Sequence, residues 1–223
     1  MDRYNIYTFI HKGLRRALFK QLIELGQLDE ANPVAMQQCL EAIQQLLMCF
    51  SRYHHHEKQF IQPLLPVFSI TQQEHLQYEH KLHELNDLIE RINSMPAVIS
   101  ASALHQLYLQ LSLFCATQLQ QMYTEETQMM EYLWRQHNDE QLHAIHNQLV
   151  QSQSDTEQYQ TLRLILPALT ETERLSVLLT LQKQMPESSF CTLVNEVQQE
   201  LNASQLRTVH KYIKTIISTV CAS

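Results

Sequence analysis

The sequence predicts an all-α chain, and three observations carry that prediction. The 223 residues include only two glycines and six prolines, so few breakers interrupt the long segments. Leu, Gln, Glu, Ala and Met, all good helix formers, are abundant. Apolar residues recur at helical intervals, and no alternating apolar–polar run bounded by turn residues is present. The architecture expected is an antiparallel up-down four-helix bundle over residues 1–138, followed by a C-terminal helical extension over 139–223.

Each element has a local reason. Helix A is expected from about Tyr4 to Leu25, with Gly26 as its stop. Asn32 and Pro33 open helix B as cap and first helical residue, and it runs to about Leu65, before Pro66. Thr71-Gln72-Gln73-Glu74 reads as a capping box that opens helix C, which ends near Ser94, ahead of Pro96. Ser100 or Ser102 opens helix D, which runs to about Trp134. Short loops between four such helices favour antiparallel neighbours.

Beyond Asn138 the segments shorten, to roughly 139–152, 155–166, 171–184, 187–201 and 204–218. Asp139, Thr170 and Ser204 are candidate caps, and Thr170-Glu171-Thr172-Glu173 is a second capping box. Leu175, Leu178, Leu179 and Leu181, then Leu193, Val194 and Val197, supply apolar faces without a polar constellation. The extension is expected to pack on the bundle or to form an interface, a homodimer being one outcome.

Charge and cysteine usage exclude several classes. The formal net charge is -7, and no basic cluster exists to neutralise phosphates, so neither nucleic acid nor an anionic membrane is an expected partner. Lys12, Arg15, Arg16 and Lys20 share one helix and read as a solvated face. No apolar run reaches the ~20 residues of a membrane span. The five cysteines, Cys39, Cys49, Cys115, Cys191 and Cys221, have spacings that suit neither a zinc finger nor a disulfide framework. With no signal peptide read at Met1–Asn5, a reduced, cytoplasmic protein is expected. No nucleophile–base pair, P-loop or Rossmann signature is present.

The apolar stripes carry polar residues where a helical core should have none. At ~100° per residue, Tyr4, Tyr7, His11, Leu14, Leu18, Leu22 and Leu25 share one face of helix A. Cys39, Ile43, Leu46, Phe50, Tyr53, Glu57, Ile61 and Leu64 share a face of helix B. Tyr78, Leu82, Leu85, Ile89 and Ile92 form the stripe of helix C, with His75 at its edge. On helix D the stripe is Leu107, Leu111, Phe114, Gln118, Gln121, Glu125, Met129 and Tyr132. Buried carboxylates and imidazoles are costly unless satisfied. Four antiparallel helices that deliver such groups to one depth is how bundles build metal sites. Imidazole with carboxylate suits iron, manganese or zinc, and tyrosinate favours ferric iron. Gln121 reads better as a hydrogen-bonding neighbour of a ligand than as a ligand, and Tyr53 and Tyr78 also fit as ordinary core tyrosines. Glu126 is the alternative inward residue to Glu125, which the stripe favours. His54 lies about 60° from Glu57 and is a secondary candidate; His55 points away and His56 flanks. His80, His83, His137, His143 and His146 fall off these faces and read as surface residues.

These residues resemble a known pattern. Ile10-His11-Lys12-Gly13-Leu14-Arg15, then His54-His55-His56-Glu57-Lys58-Gln59-Phe60-Ile61-Gln62-Pro63-Leu64-Leu65, are similar to segments of bacterial hemerythrin-like (HHE cation-binding) proteins. His75-Leu76-Gln77-Tyr78 and Met122-Tyr123-Thr124-Glu125-Glu126 extend the resemblance, which covers about residues 4–134. The family plan places one His on helix A, H-x-x-x-E on helix B, one or two His on helix C, and a second H-x-x-x-E/D on helix D. His11, Glu57, His75 and Glu125 match it; Tyr53 and Gln121 stand where the plan has His, and Tyr78 stands where some members carry a second helix C His. The resemblance implies a non-haem iron site of one or two ions that handles O2, peroxide, nitric oxide or iron, by peroxide or O2 chemistry if catalytic. The departures speak against ordinary reversible O2 binding. They also admit a different class, a metal-free, hemerythrin-derived module that binds a protein partner through its C-terminal helices.

Overall fold

A computed structural model describes residues 3–29, 31–66, 72–94 and 100–207; within these, the side chains of residues 72–77, 100 and 101 are not described. Thr71 and its expected capping box, and the side chain of His75, therefore lie outside the described residues. The described chain is all-helical: α1 (Thr8–Gly26), α2 (Pro33–Phe60), α3 (Gln72–Ser94), α4 (Ser100–Thr124), a π-helical turn (Glu125–Met129), α5 (Met130–Gln136), α6 (Asp139–Ser152), α7 (Asp155–Ile165), α8 (Glu171–Gln184) and α9 (Glu187–Gln199). Among the described residues, no helix is long and apolar enough to cross a membrane. The contacts divide the chain into two compact units, Met1–Ser152 and Gln153–Ser223, so α6 belongs with the first.

In the first unit, α1 packs against α2 and α4, and α3 packs against the same two helices. Leu14 and Leu18, Ile43 and Phe50, Leu85 and Ile89, and Leu107, Leu111 and Phe114 are stripe residues buried in this unit, joined on α2 by Leu40 and Leu47, which the stripe did not include. The Phe50 and Phe114 rings meet edge to face with centroids 5.3 Å apart. Asn32 caps α2 by accepting from the Ala35 N–H at 3.1 Å, with Pro33 in the first turn, as the sequence implies. Gly26 ends α1 as expected, but without a left-handed conformation. No glycine has a positive φ, and a Cβ at Gly26 would sit 3.1 Å from the Tyr108 ring. The residue is small because α4 comes close.

Helix A starts later than its pattern suggests. Residues Arg3 to Tyr7 form a lead-in whose polar groups are taken by other partners. Asn5 Oδ1 accepts the Tyr7 N–H at 2.9 Å, an Asx turn that competes with helix. Arg3 donates to the Trp134 and His137 carbonyls and to Asp139. Trp134 Nε1 donates to the Tyr4 carbonyl at 2.8 Å, and the Tyr4 hydroxyl pairs with His146 Nδ1 at 2.9 Å. His146 is thus half-buried rather than a free surface residue, and His143 stacks on the Tyr4 ring. At the start of α6, Asn138 rather than Asp139 is the cap: its Oδ1 accepts from the Gln141 N–H, and Gln141 Oε1 accepts from the Asn138 N–H. Ile6 and Tyr7 of the lead-in form a buried cluster with Ile61, Leu65, Met129, Met130, Leu133 and Leu142.

The second unit holds α7, α8 and α9. Ser154 with Glu157 and Thr170 with Glu173 make reciprocal capping boxes at the starts of α7 and α8. Arg174 is buried and donates to the Leu166 and Leu169 carbonyls, which fixes the turn between these helices. Phe190, Leu193, Val194 and Val197 bury the apolar face of α9. The expected cap at Ser204 is instead Asn202, whose Oδ1 accepts from the Ser204 and Gln205 N–H groups.

Candidate metal centre

Three helical segments of the first unit bring three donor atoms together. His11 lies one turn into α1, Tyr53 in the last third of α2, and Glu125 opens the π-helical turn after α4. His11 and Glu125 are wholly buried. His11 Nε2 is 2.7 Å from the Tyr53 hydroxyl, which donates to Glu125 Oε2 at 2.7 Å, and His11 Nε2 is 3.0 Å from that same oxygen. The other oxygen of Glu125 accepts from Gln121 Nε2 at 2.8 Å.

The far side of the His11 ring is also occupied. His11 Nδ1 lies 2.9 Å from Glu126 Oε1. Arg15, one helical turn beyond His11, donates to both oxygens of Glu126, at 2.6 and 3.0 Å. Adjacent residues on a helix diverge by ~100°, and Glu125 and Glu126 accordingly meet the ring from two sides, at Nε2 and Nδ1. The π turn that begins at Glu125 changes the local spacing. Arg15 is therefore a structural partner rather than part of a solvated face.

The electrostatics follow from these contacts. Burial pulls the His11 pKa down, but the hydrogen bonds and charges of Glu125 and Glu126 outweigh it and leave the ring more basic than usual. Glu125 is driven upward by burial, yet the His11 and Tyr53 hydrogen bonds bring it below its ordinary value. Glu126 feels the same balance, with His11 and Arg15 lowering it to about 2. The Tyr53 hydroxyl is pushed well up, first by burial and then by Glu125 and Glu57.

A second polar group adjoins the first. Glu57 is buried; one oxygen accepts from the Tyr7 hydroxyl at 3.3 Å, and Oε2 has no hydrogen-bond partner among the described residues, with His54 Nδ1 3.5 Å away. Burial, and next the charge of Glu125, push the Glu57 carboxyl up to about 7. His54 is buried, with Nε2 3.2 Å from Gln118 Oε1 and Nδ1 3.5 Å from Gln121 Nε2. The Tyr78 ring lies against the His54 ring at 3.8 Å, and its hydroxyl is buried without a partner among the described residues.

The structure thus joins His11, Tyr53 and Glu125, places Glu57, His54 and Tyr78 beside one another, and links the two groups through Gln121. Its backbone places His75 on the first turn of α3. Arg15, Tyr7 and Gln118 are participants that sequence reasoning did not assign to the site, and Glu126, given there as the alternative to Glu125, joins it instead of replacing it. For Arg15 a signal existed: it stands four residues after His11, hence on a neighbouring face. Among the described residues, no group of three or more His, Cys, Asp and Glu side chains is assembled tightly enough to hold a metal; the group that does converge mixes one His, one Glu and one Tyr. Comparison with family models, curated proteins and solved structures finds no match to this chain. The resemblance to hemerythrin-like proteins rests on the motifs themselves.

Proposed function

We propose that the first unit is a hemerythrin-like, antiparallel up-down four-helix bundle that binds a non-haem metal ion, iron foremost, on His11, Tyr53 and Glu125. Glu57 and His75 are further donors in this reading, and a second ion would draw on them. The reciprocal packing of α1, α2, α3 and α4 supports the bundle. The observation that carries the metal is the triangle of His11 Nε2, Tyr53 Oη and Glu125 Oε2, with edges of 2.7, 2.7 and 3.0 Å. Donors that share an ion at about 2.0–2.2 Å and at right angles stand about 3 Å apart, a spacing close to these edges, and an ion would replace the hydrogen bonds that now join them. One nitrogen and two oxygens suit iron, with zinc and manganese as lesser matches. Burial and the neighbouring carboxylates keep the proton on Tyr53, so it would serve as a ligand only beside a strongly polarising cation such as ferric iron. The surrounding hydrogen bonds, Glu126 on His11 and Gln121 on Glu125, orient two of the three ligands. Bound iron would supply reactivity toward O2, peroxide or nitric oxide at an open position.

One observation favours the second reading, a metal-free module that works through a protein partner. Both nitrogens of His11, the Tyr53 oxygen and both oxygens of Glu125 already have protein partners. The network stands without an ion. The test is metal per chain in untagged, aerobically purified protein, with a visible spectrum on the same sample. One or two irons per chain and a tyrosinate-to-iron band that disappears in Tyr53→Phe support the metal site. No stoichiometric metal after reconstitution would sink it and move attention to the C-terminal helices.

A further inference from the structure

We propose that the outer face of α4 is a dimer interface, a heptad seam that packs against the α4 of a second copy of this chain. The proposal does not rest on the metal reading. It starts from composition. Between Ser100 and Thr124, α4 holds no Asp, Glu, Lys or Arg, whereas α1, α2 and α3 all carry both signs. A helix without a charged face is expected to be buried all round. Three sides of α4 are covered within the chain. Leu107, Leu111, Phe114 and Gln118 are buried in the core. Tyr108 lies over Gly26 of α1, and Gln110 accepts from Lys81 of α3. On the fourth side Leu109, Leu113, Ala116, Gln120 and Tyr123 are exposed, and Leu109, Leu113 and Tyr123 are each more than half so.

The spacing of these five residues is the second observation. Its steps of four, three, four and three are the 3.5-residue repeat of a helix that packs knobs-into-holes against another helix. What the seam lacks identifies the occupant. Helical partners are selected by charges beside the seam, which attract one sequence and repel others. Helix α4 has none at any position, so nothing selects for a different helix or against its own copy. With a net charge of -7, two copies repel, and a face free of charge is where they can meet. Two-fold pairing brings the same seam, with the same repeat, from the other side. The area suffices. The 25 residues of α4 span ~37 Å, and α1, packed about 8–10 Å away, adds Phe19 and Ile23, so the face measures roughly 700 Å², against about 800 Å² per partner in a standard interface.

The test is the molar mass of the full chain by sedimentation equilibrium across about 1–100 μM. The parent should be a dimer. Leu113→Glu and Ala116→Glu each put a charge into the seam at a position exposed in the single chain. Each should keep its circular dichroism and weaken the dimer about 100-fold or more. Ala116→Glu exchanges one good helix former for another and decides the matter if Leu113→Glu unfolds. Met48→Glu, at an equally exposed apolar residue of α2, should leave the dimer intact. A parent that stays monomeric over this range overturns the proposal. So does a dimer that survives the charges in the seam, which would place the contact elsewhere, and so does one that Met48→Glu dissolves equally.

Discussion

Glu57 is the residue at which function and stability should part company, and Glu57→Gln exposes it. Its side chain is buried, one of its oxygens lacks a hydrogen-bond partner among the described residues, and burial with the Glu125 charge lifts it to about 7. In the unfolded chain the same carboxyl ionises near 4.5. Between those two pH values the native state holds a proton that the unfolded state has lost. Stability from this group therefore falls as pH rises from about 4.5 to about 7, then levels off. At about 1.4 kcal/mol per pH unit, the gap of about 2.5 corresponds to about 3 kcal/mol. Gln keeps the shape, still accepts from Tyr7, and carries no charge. In metal-free protein, Glu57→Gln should be about 1–3 kcal/mol more stable than the parent at pH 8 and nearly equal to it at pH 5. Urea titration at both pH values, followed by Trp134, the one tryptophan of the chain, reads the first unit. A variant no more stable than the parent at pH 8 would refute the reasoning.

Two further outcomes follow from particular contacts. Glu126 has the opposite sign to Glu57: although burial raises it, His11 and Arg15 hold it at about 2, so its contribution is complete above about 4.5 and is lost as pH falls through about 2. Arg15→Ala should move the acid unfolding transition, followed by Trp134 fluorescence, to higher pH; superimposed curves would show that the Arg15–Glu126 pair contributes nothing to stability. In the second unit, Thr170→Ala removes one half of a reciprocal capping box and should cost about 1 kcal/mol. Thermal unfolding by far-ultraviolet circular dichroism checks it, and a loss below about 0.3 kcal/mol would mean that the cap at α8 is idle.

Regular helix is what made the site legible. At ~100° per residue, the wheel put His11, Tyr53, Glu57, Gln121 and Glu125 on inward faces, and His11, Glu57 and Glu125 are buried. The same arithmetic misplaced what departs from regularity. It made Glu125 and Glu126 alternatives, because two successive residues cannot face one way in an α-helix; both engage because they reach opposite nitrogens of the His11 ring. It left His54 at the edge of its stripe, yet the ring is buried between α2 and α4, with Gln118 as its partner. A stripe that faces two neighbouring helices is wider than a single seam. Tyr7 was on the correct face, but its hydrogen bond to Glu57 depends on a lead-in that is not helical, and no periodicity encodes that.

The two polar groups place different demands on whatever binds there. The His11, Tyr53 and Glu125 triangle is satisfied by the protein itself, so it has no need of an ion in order to stand. Glu57 and Tyr78 are not satisfied in that way: each leaves a buried oxygen without a hydrogen-bond partner among the described residues, although His54 Nδ1 lies 3.5 Å from that of Glu57. Buried polar atoms left without a hydrogen bond are costly. Glu57→Gln therefore separates the two functional readings as well as testing the electrostatics. If the chain is a metal-free module, the variant gains stability and loses nothing else, and partner binding is unchanged. If Glu57 is a donor, the same variant gains stability only in the metal-free protein and gives up iron, so chelator-treated and iron-loaded samples should rank parent and variant in opposite orders.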